Sequence, residues 1–176
     1  MSFGKMYQRL LQNHFYLVQC IQTASLMTTG DCLAQLAIEK RTFKQYDFRR
    51  TAEFAFLGGV LVGPAVSAWY ILLQRQFGHE RNLRTTLCKM CCDQLLFAPM
   101  FLVVFITSLE LIHDSKPGHI KQAFKNTYMD ILLTNWKVWP AVQMVNFYVI
   151  PLQYQVLFVQ AVAVFWNTYL SWKTQN

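Results

Sequence analysis

The strongest constraint in this sequence is a series of apolar segments, each about as long as a helix that crosses a lipid bilayer. The clearest covers residues 86–112, in which the twelve consecutive positions 95–106 carry no polar side chain. Similar segments cover residues 15–38, 51–73 and 139–172. Because a helix of about 20 apolar residues spans the hydrocarbon core, the chain is predicted to be an all-α, polytopic membrane helical bundle with about four transmembrane helices.

The composition also favours a membrane protein. Hydrophobic residues make up 54% of the 176 positions and charged residues only 14%, against about a quarter in a typical soluble domain. The net charge is +7, and its Lys and Arg residues lie in short stretches between the apolar segments, where they would face phospholipid headgroups. We therefore predict a single integral membrane domain, residues 1–176, whose partner is the lipid bilayer. No direct nucleic-acid binding is expected, since the sequence has no nucleic-acid motif.

The last apolar region, residues 131–172, is too long for one crossing, and Pro140 and Pro151 divide it. Proline is favoured in the first turn of a helix, so one helix is expected to begin near Pro140 and another near Pro151. Whether the stretch between them crosses the membrane or forms half of a hairpin stays open, and with it the choice between four and five spans. Residues 119–129 are expected to form a short amphipathic loop helix.

Several polar side chains lie inside the apolar segments, where a charge is costly unless it is paired or hydrated. Asp31 and Gln35 share one helix face, and Asp31 either lines a solute pathway or forms an interhelical ion pair with Arg50 or Lys89. Lys89 and Asp93 also share a face, and they either form a salt bridge or line a pore. The candidate polar lining has eight members: Asp31, Gln35, Arg50, Lys89, Asp93, Gln94, Gln143 and Asn146.

The C-terminal part of the chain combines aromatic and amide side chains. Trp139, Gln143 and Asn146 recur at spacings of four and three, so they form one stripe if the helix continues across Pro140. Amides in an apolar helix face protein or water, so this stripe either joins helices by hydrogen bonds or lines a cavity. An aromatic girdle at the membrane interface is predicted for three further residues, Trp166, Tyr169 and Trp172.

Small residues recur at every fourth position of the second apolar segment, with Gly59-x-x-x-Gly63 at the centre. Such a stripe allows another helix backbone to approach closely, which is how membrane helices gain packing contacts. The predicted helix-packing residues are Ala55, Gly59, Gly63 and Ser67.

The sequence contains none of the motifs that mark common enzyme active sites, such as His-Glu-x-x-His, Gly-x-Ser-x-Gly or a phosphate-binding glycine loop. Its five cysteines are odd in number and lie in apolar segments, where they are expected to act as small hydrophobic residues. We therefore predict a protein that is not an enzyme, with no catalytic residue, no metal site and no cofactor.

The order of these motifs resembles that of the Mpv-seventeen and peroxisomal membrane protein two family. The resemblance covers nearly the whole chain and includes Gly30-Asp31, Arg49-Arg50, Gly63-Pro64 and Asp93-Gln94. One departure is Ser67, where many members of the family carry His. The C-terminal part of the family motif is carried by six residues: Trp139, Pro140, Phe147, Pro151, Trp166 and Tyr169.

The resemblance is strongest to the mitochondrial inner-membrane branch of that family. It implies a four-helix inner-membrane protein that acts as a weakly selective channel. It also implies effects on membrane potential, reactive-oxygen balance, nucleotide supply and mitochondrial DNA maintenance. No individual pore residue follows from the resemblance.

From the embedded polar residues and this resemblance, we predict a channel-like protein for small solutes, present as a homo-oligomer or in a membrane complex. Two alternatives stay open. One is a non-conducting scaffold that assembles with other membrane proteins through the stripe of small residues. The other is a pore of the peroxisomal membrane. An intramembrane enzyme is a further hypothesis, which the motif search does not favour.

Overall fold

The structure is a computed structural model that describes residues 9, 13–78, 80, 82–112, 117–149 and 152–175. Within that part of the chain it contains five long helices and no strand, which confirms the predicted all-α class. Helix α1 (Phe15–Leu33) continues into a π-helical turn (Ala34–Ile38). The other four helices are α2 (Phe48–Phe77), α3 (Leu83–Ile112), α4 (Pro117–Tyr148) and α5 (Leu152–Gln175).

The five helices form a ring. Each helix packs against the next one along the chain, and α5 returns to pack along α1. Consecutive helices run antiparallel, so the start of α2 meets the ends of α3 and α5, where Arg49 bonds to the carbonyl of Ile112 and Arg50 to Ser171. We call this side of the ring the Arg50 end. The opposite side, where α2 ends and α3 begins, is the Lys89 end.

The outer surface of the ring is apolar and part of its interior is polar, the reverse of a soluble protein. Leu95 and Met100 of α3 are 63% and 70% exposed, and Phe165 of α5 is 75% exposed, whereas Gln94 and Gln143 are buried. In the described part of the chain, α2 and α3 have the length and the low charge needed to cross a membrane. An apolar surface of this kind is expected against lipid or protein rather than water.

Helices α2 and α3 each contain a π-helical turn directly before an X-Pro pair. In α2 the turn is Gly58–Val62, followed by Gly63-Pro64, and in α3 it is Asp93–Phe97, followed by Ala98-Pro99. A proline inside a helix lacks an N–H, and its ring clashes with the carbonyl four residues earlier. The wider turn relieves this clash, so both helices continue past their proline.

The π turn of α2 also changes which small residues approach α1 most closely. A Cβ atom added at Gly58 would lie 2.9 Å from the Cα atom of Ala24, and one added at Gly63 would lie 2.9 Å from the Cα atom of Cys20. At Gly59 the added Cβ would lie 3.6 Å from the Cβ atom of Ala24, an ordinary contact. Gly58 and Gly63, which are five residues apart across the π turn, therefore approach α1 most closely. The predicted four-residue stripe, which includes the half-buried residues Ala55 and Gly59, does not give this register.

Helix α4 differs from the expectation. It runs from Pro117 to Tyr148 without a break, so the expected loop helix at 119–129 and the segment after Pro140 belong to one helix. Pro140 removes one backbone hydrogen bond, and membrane helices tolerate such a loss when neighbouring helices pack around it. Pro151 lies outside the described residues, and α5 begins at the next residue, Leu152.

The register of the α1–α2 contact can be tested with two adjacent glycines. Gly58→Ala is expected to lower the free energy of unfolding by about 1–2 kcal/mol, because the new methyl group overlaps the backbone of α1. Gly59→Ala is expected to leave it within about 0.5 kcal/mol, because its methyl group has room and alanine favours a helix. Thermal unfolding in detergent, followed by circular dichroism, measures both. Equal losses would contradict the five-residue register.

Candidate functional site

A cavity of about 460 Å³ lies inside the ring and is lined by residues of all five helices. It extends from Phe15 and Gln74, close to the Lys89 end, to Met27 and Leu170. Its lining on α1, from Phe15 to Met27, corresponds to about 18 Å at 1.5 Å per residue. The volume falls in the range of roughly 300–1,000 Å³ that is typical of small-molecule sites.

The lining combines amides, hydroxyls and aromatic rings with a single charge. Asp93 is the one charged side chain among the described residues that line the cavity. Its aromatic walls include Phe97 and Phe101 of α3, Trp139 of α4 and Trp166 of α5. Amide and hydroxyl groups come from every helix: Gln19, Thr23, Ser67, Tyr70, Gln74, Gln94, Asn135, Gln143, Asn146 and Asn167.

Both carboxylate oxygens of Asp93 accept a hydrogen bond. Trp69 Nε1 donates to Oδ1 at 2.9 Å, and Gln94 Nε2 donates to Oδ2 at 2.9 Å. A carboxylate has about four lone-pair positions, so each oxygen can accept a further donor. Both donors are neutral groups, which orient the carboxylate but leave its charge unbalanced.

Gln94 is held by α4. Its Oε1 atom accepts a hydrogen bond from Asn135 Nδ2 at 2.7 Å, and its carbonyl oxygen accepts one from Trp136 Nε1 at 2.8 Å. In the π turn the N–H of Ala98 bonds to the carbonyl of Asp93, and the next residue, Pro99, has no N–H to donate. The carbonyl of Gln94 is therefore left for Trp136, and this bond fixes α4 against α3 beside Asp93.

Gln143 and Asn146 lie on the cavity face of α4, and both are buried. Gln143 Nε2 donates to the hydroxyl oxygen of Tyr70 at 3.1 Å, and Asn146 Nδ2 approaches Gln143 Oε1 at 3.5 Å. Asn146 Oδ1 has no hydrogen-bond partner among the described residues. A buried acceptor without a donor is uncommon in folded proteins, so this atom marks a place where a bound molecule would be favoured.

Lys89 is not in the described lining of the main cavity and does not pair with Asp93. Its ammonium group donates to the carbonyl of Gly78 at 2.6 Å. Side chains of a helix lean toward its N-terminus, so Lys89 reaches back to the α2–α3 loop, away from the residue one turn later. A pocket of about 50 Å³ beside the main cavity is lined by both residues, together with Tyr70 and Gln143.

Asp31, Gln35 and Arg50 are not in the described lining of the cavity. They form a separate buried network at the Arg50 end. Asp31 Oδ1 is 2.7 Å from Arg50 Nε and accepts a hydrogen bond from Ser171 Oγ at 2.6 Å. Asp31 Oδ2 accepts bonds from Gln35 Nε2 at 2.8 Å and from the hydroxyl of Thr51. Asp31 thus pairs with Arg50, and Lys89 lies at the other end of the ring.

Glu39 adds a second carboxylate to this network, and Arg41, whose Nε lies 2.7 Å from Glu39 Oε2, adds the second cation that balances it. Arg50 binds both carboxylate oxygens of Glu39, at 2.8 and 3.1 Å, and also donates to Ser171 Oγ at 3.0 Å. Tyr46 closes the network on the loop side through its hydroxyl, which contacts Thr51 Oγ1 at 2.8 Å. Burial raises the pKa of the Tyr46 phenol above its usual range, so the hydroxyl stays protonated at neutral pH.

An apolar layer separates the cavity from the Arg50 network. It is formed by side chains that are almost completely buried, among them Met27, Phe54, Leu57, Phe105 and Ile131. Met27, Phe105 and Ile131 also line the inner end of the cavity. The arrangement along the ring axis is therefore a polar cavity, an apolar floor and an ionic network.

The structure assigns the aromatic residues of the C-terminal motif to more than an interfacial girdle. Trp139 and Trp166 face the cavity with their ring centroids 6.0 Å apart in an edge-to-face arrangement. Tyr169 donates its hydroxyl to Thr134 Oγ1 at 3.1 Å, and Trp172 is partly exposed. Trp166 faces inward because α5 packs on both α1 and α4. The side chain of Phe147 lies outside the described residues.

The sequence prediction omits several residues that the structure places on the cavity. Asn135 and Asn167 stand next to tryptophans inside apolar segments. Because an amide in such a segment faces protein or water, their positions in the sequence could have predicted that they line the cavity. Trp69 and Tyr70 lie toward the end of α2, where aromatic rings commonly sit at the headgroup level, but both point their polar atoms toward cavity residues. Among the described residues, no group of three His, Cys, Asp or Glu side chains is placed to hold a metal ion.

Comparisons with known proteins give a consistent family assignment. The model of the Mpv17 / PMP22 family matches residues 111–171. The chain is 40% identical to the mitochondrial inner membrane protein Mpv17 of Rattus norvegicus, over 100% of this chain and 99% of that protein. It is 39% identical to Mpv17 of Homo sapiens over the same shares. It is 38% identical to protein SYM1 of Gibberella zeae, over 97% of each chain. No solved structure matches the chain.

The Arg50 network yields a stability prediction. Arg50→Gln leaves the carboxylates of Asp31 and Glu39 without this cation, and it is expected to lower the free energy of unfolding by about 3–5 kcal/mol. The control Lys44→Gln, at an exposed lysine in the loop before α2, is expected to change it by less than about 0.5 kcal/mol.

A double-variant cycle isolates the ion pair. Asp31→Asn combined with Arg50→Gln should cost less than the sum of the two single losses, because each change removes the charge that the other leaves unpaired. Thermal unfolding in detergent measures all four proteins. Simple additivity would contradict a direct coupling between the two residues.

Proposed function

The chain belongs to the Mpv17 / PMP22 family and is a mitochondrial inner-membrane protein, and from this premise we propose that it is a channel-like protein through which small solutes cross that membrane. We also propose that it acts without catalysis and supports mitochondrial homeostasis, including membrane potential, reactive-oxygen balance, nucleotide supply and mitochondrial DNA maintenance. These wider roles are what the family resemblance implies.

The observation that carries the proposal is the polar cavity inside an apolar ring. Polar side chains inside membrane segments are costly, and those that persist usually face a solute pathway or one another. In this protein some of these groups face one another and others face the cavity, in separate places. Asp31 and Arg50 satisfy each other at one end, whereas Asp93 and Asn146 face the cavity and keep free acceptor capacity.

Passage of a solute requires the apolar floor to open. Phe105 and Ile131 close the inner end of the cavity, and the Arg50 network lies behind them. This network ties the end of α1, the start of α2 and the end of α5 together. We infer that the described arrangement is the closed state of the channel, and that separation of these three helix ends opens the floor.

The scaffold alternative has less support in the structure. The small residues that would bind another membrane protein pack against α1 of the same chain, at Cys20 and Ala24. Ser67 faces the cavity and donates to the carbonyl of Gly63 at 2.7 Å. This surface is therefore used within the ring, and assembly into a homo-oligomer would have to use the outer surface of the helices.

Conduction can be tested directly with purified protein in planar bilayers. The wild type is expected to conduct small ions with a preference for cations, because Asp93 is the one charge in the described lining. Asp93→Asn should reduce the cation-to-anion permeability ratio by about fivefold, since a charge about 4 Å from a hydrated ion contributes about 1 kcal/mol. The control is Asp130→Asn, a half-exposed carboxylate that pairs with Lys173 outside the cavity. Silent bilayers at all voltages would refute the channel.

The floor provides a second test, in which the same chemical change is made inside and outside the ring. Phe105→Ala shortens a side chain that is only 2% exposed and closes the cavity, so single-channel conductance or open probability is expected to rise at least about twofold. Phe165→Ala removes the same ring from the outer surface of α5 and should leave conductance unchanged. Equal effects of the two changes would contradict a gate at the apolar floor.

A further inference from the structure

The negative charge of the central cavity has no described cationic partner. The two hydrogen bonds to Asp93 come from the neutral groups of Trp69 and Gln94. Lys89, one helical turn earlier, is bound to the carbonyl of Gly78 instead. The N–H donors orient both oxygens of Asp93, but no cation is paired with it among the described residues, so the cost of burying its charge is not offset. An ionised carboxylate inside a membrane segment is stabilised by a cation, so the cavity is suited to a cationic ligand.

Aromatic rings form a continuous surface beside this charge. The ring of Trp69 stacks on Phe97 with centroids 4.9 Å apart, and Phe97 stacks on Phe101 at 5.0 Å. Trp139 and Trp166 contribute two more rings from α4 and α5. The faces of aromatic rings attract cations within about 6 Å, and they also give the apolar part of a ligand a surface to contact.

A second hydrogen-bond acceptor in the cavity is unused. Asn146 is 5% exposed, and its Oδ1 atom has no partner among the described residues. Gln143 connects this position to the carboxylate, because it lies beside Asn146 and also lines the small pocket that includes Asp93. A ligand that carries N–H groups would satisfy both acceptors, whereas a ligand with acceptors only would satisfy neither.

We propose that the cavity binds a small organic cation with N–H donors, such as an alkylammonium or guanidinium group on an apolar or aromatic body. Asp93 balances the charge, Asn146 Oδ1 accepts an N–H, and the rings of Phe97, Phe101 and Trp166 contact the body. Phosphate-bearing solutes are disfavoured, because Asp93 repels them. This inference rests on the proposed function in that it names the class of solute, but it requires only that the solute binds.

The test uses the full chain in detergent and three probes of similar size: phenylguanidine, a cation; phenylurea, its neutral counterpart; and phenyl phosphate, an anion. Binding is followed by quenching of tryptophan fluorescence and by the shift in the thermal midpoint. Phenylguanidine is expected to bind at least about tenfold more tightly than phenylurea, and phenyl phosphate more weakly than either. Equal binding of the cation and the neutral probe by the wild type would overturn the proposal without any variant.

Two variants assign the binding to its residues. Asp93→Asn should reduce the preference for phenylguanidine over phenylurea to less than about threefold, whereas the control Asp130→Asn should retain it. Asn146→Asp should raise the affinity for phenylguanidine, since it adds a second carboxylate. An unchanged preference in Asp93→Asn, with the helical circular dichroism of the wild type, would refute the assignment.

The outcome can be separated from that of the bilayer experiment. Selective binding of phenylguanidine in a protein that never conducts would leave the ligand site standing and remove the channel. Conductance without selective binding would leave the channel standing and remove the ligand site.

Discussion

Helix α1 can close the ring because one of its turns contacts two other helices at once. At Gly30 the absence of a side chain lets the backbone approach α5 so closely that an added Cβ would lie 2.6 Å from the Cβ atom of Asn167. The next residue, Asp31, reaches Arg50 of α2 and Ser171 of α5. The close approach and the ion pair depend on each other, since buried charges stabilise only at short range and with their remaining hydrogen bonds made.

The two sets of buried polar groups differ in how fully their charges and hydrogen-bonding atoms have partners. In the Arg50 network each carboxylate has a cationic partner, so its members hold the helix ends in place. In the cavity the donors to Asp93 are neutral, and the Oδ1 atom of Asn146 lacks a partner among the described residues. A satisfied network favours a fixed geometry, and an unsatisfied one favours the arrival of a ligand. The apolar floor keeps the two apart, so binding in the cavity need not disturb the network until the floor moves.

Much of this fold could be predicted from the sequence, because apolar length and embedded charges are read directly from residue types. The helical class, the start of α1 at residue 15 and the end of α3 at residue 112 agree with the expected segments. The spacing of Trp139, Gln143 and Asn146 predicted a shared face on the condition that the helix continues across Pro140, and the structure meets that condition although a helix start was expected there. The sequence did not reveal that a π turn changes which residues of a helix contact the neighbouring helix. A single extra residue in a turn moves the contact from Gly59 to Gly58, and no four-residue repeat contains that information. The cavity itself depends on the closure of five helices, which local patterns do not specify.

Pro99 shows how a residue outside the described cavity lining can shape the site. Its missing N–H and its ring are accommodated by the π turn at Asp93–Phe97, which leaves the carbonyl of Gln94 to Trp136 of α4. That bond, with the one from Asn135, holds Gln94 in the position from which it donates to Asp93. The carboxylate therefore takes its orientation from a proline six residues later in the chain. The same pairing of a π turn with a proline in α2 sets the approach of α1. The two prolines thus place the cation-attracting group and the helix that encloses it, because each converts a steric clash into a fixed, widened turn.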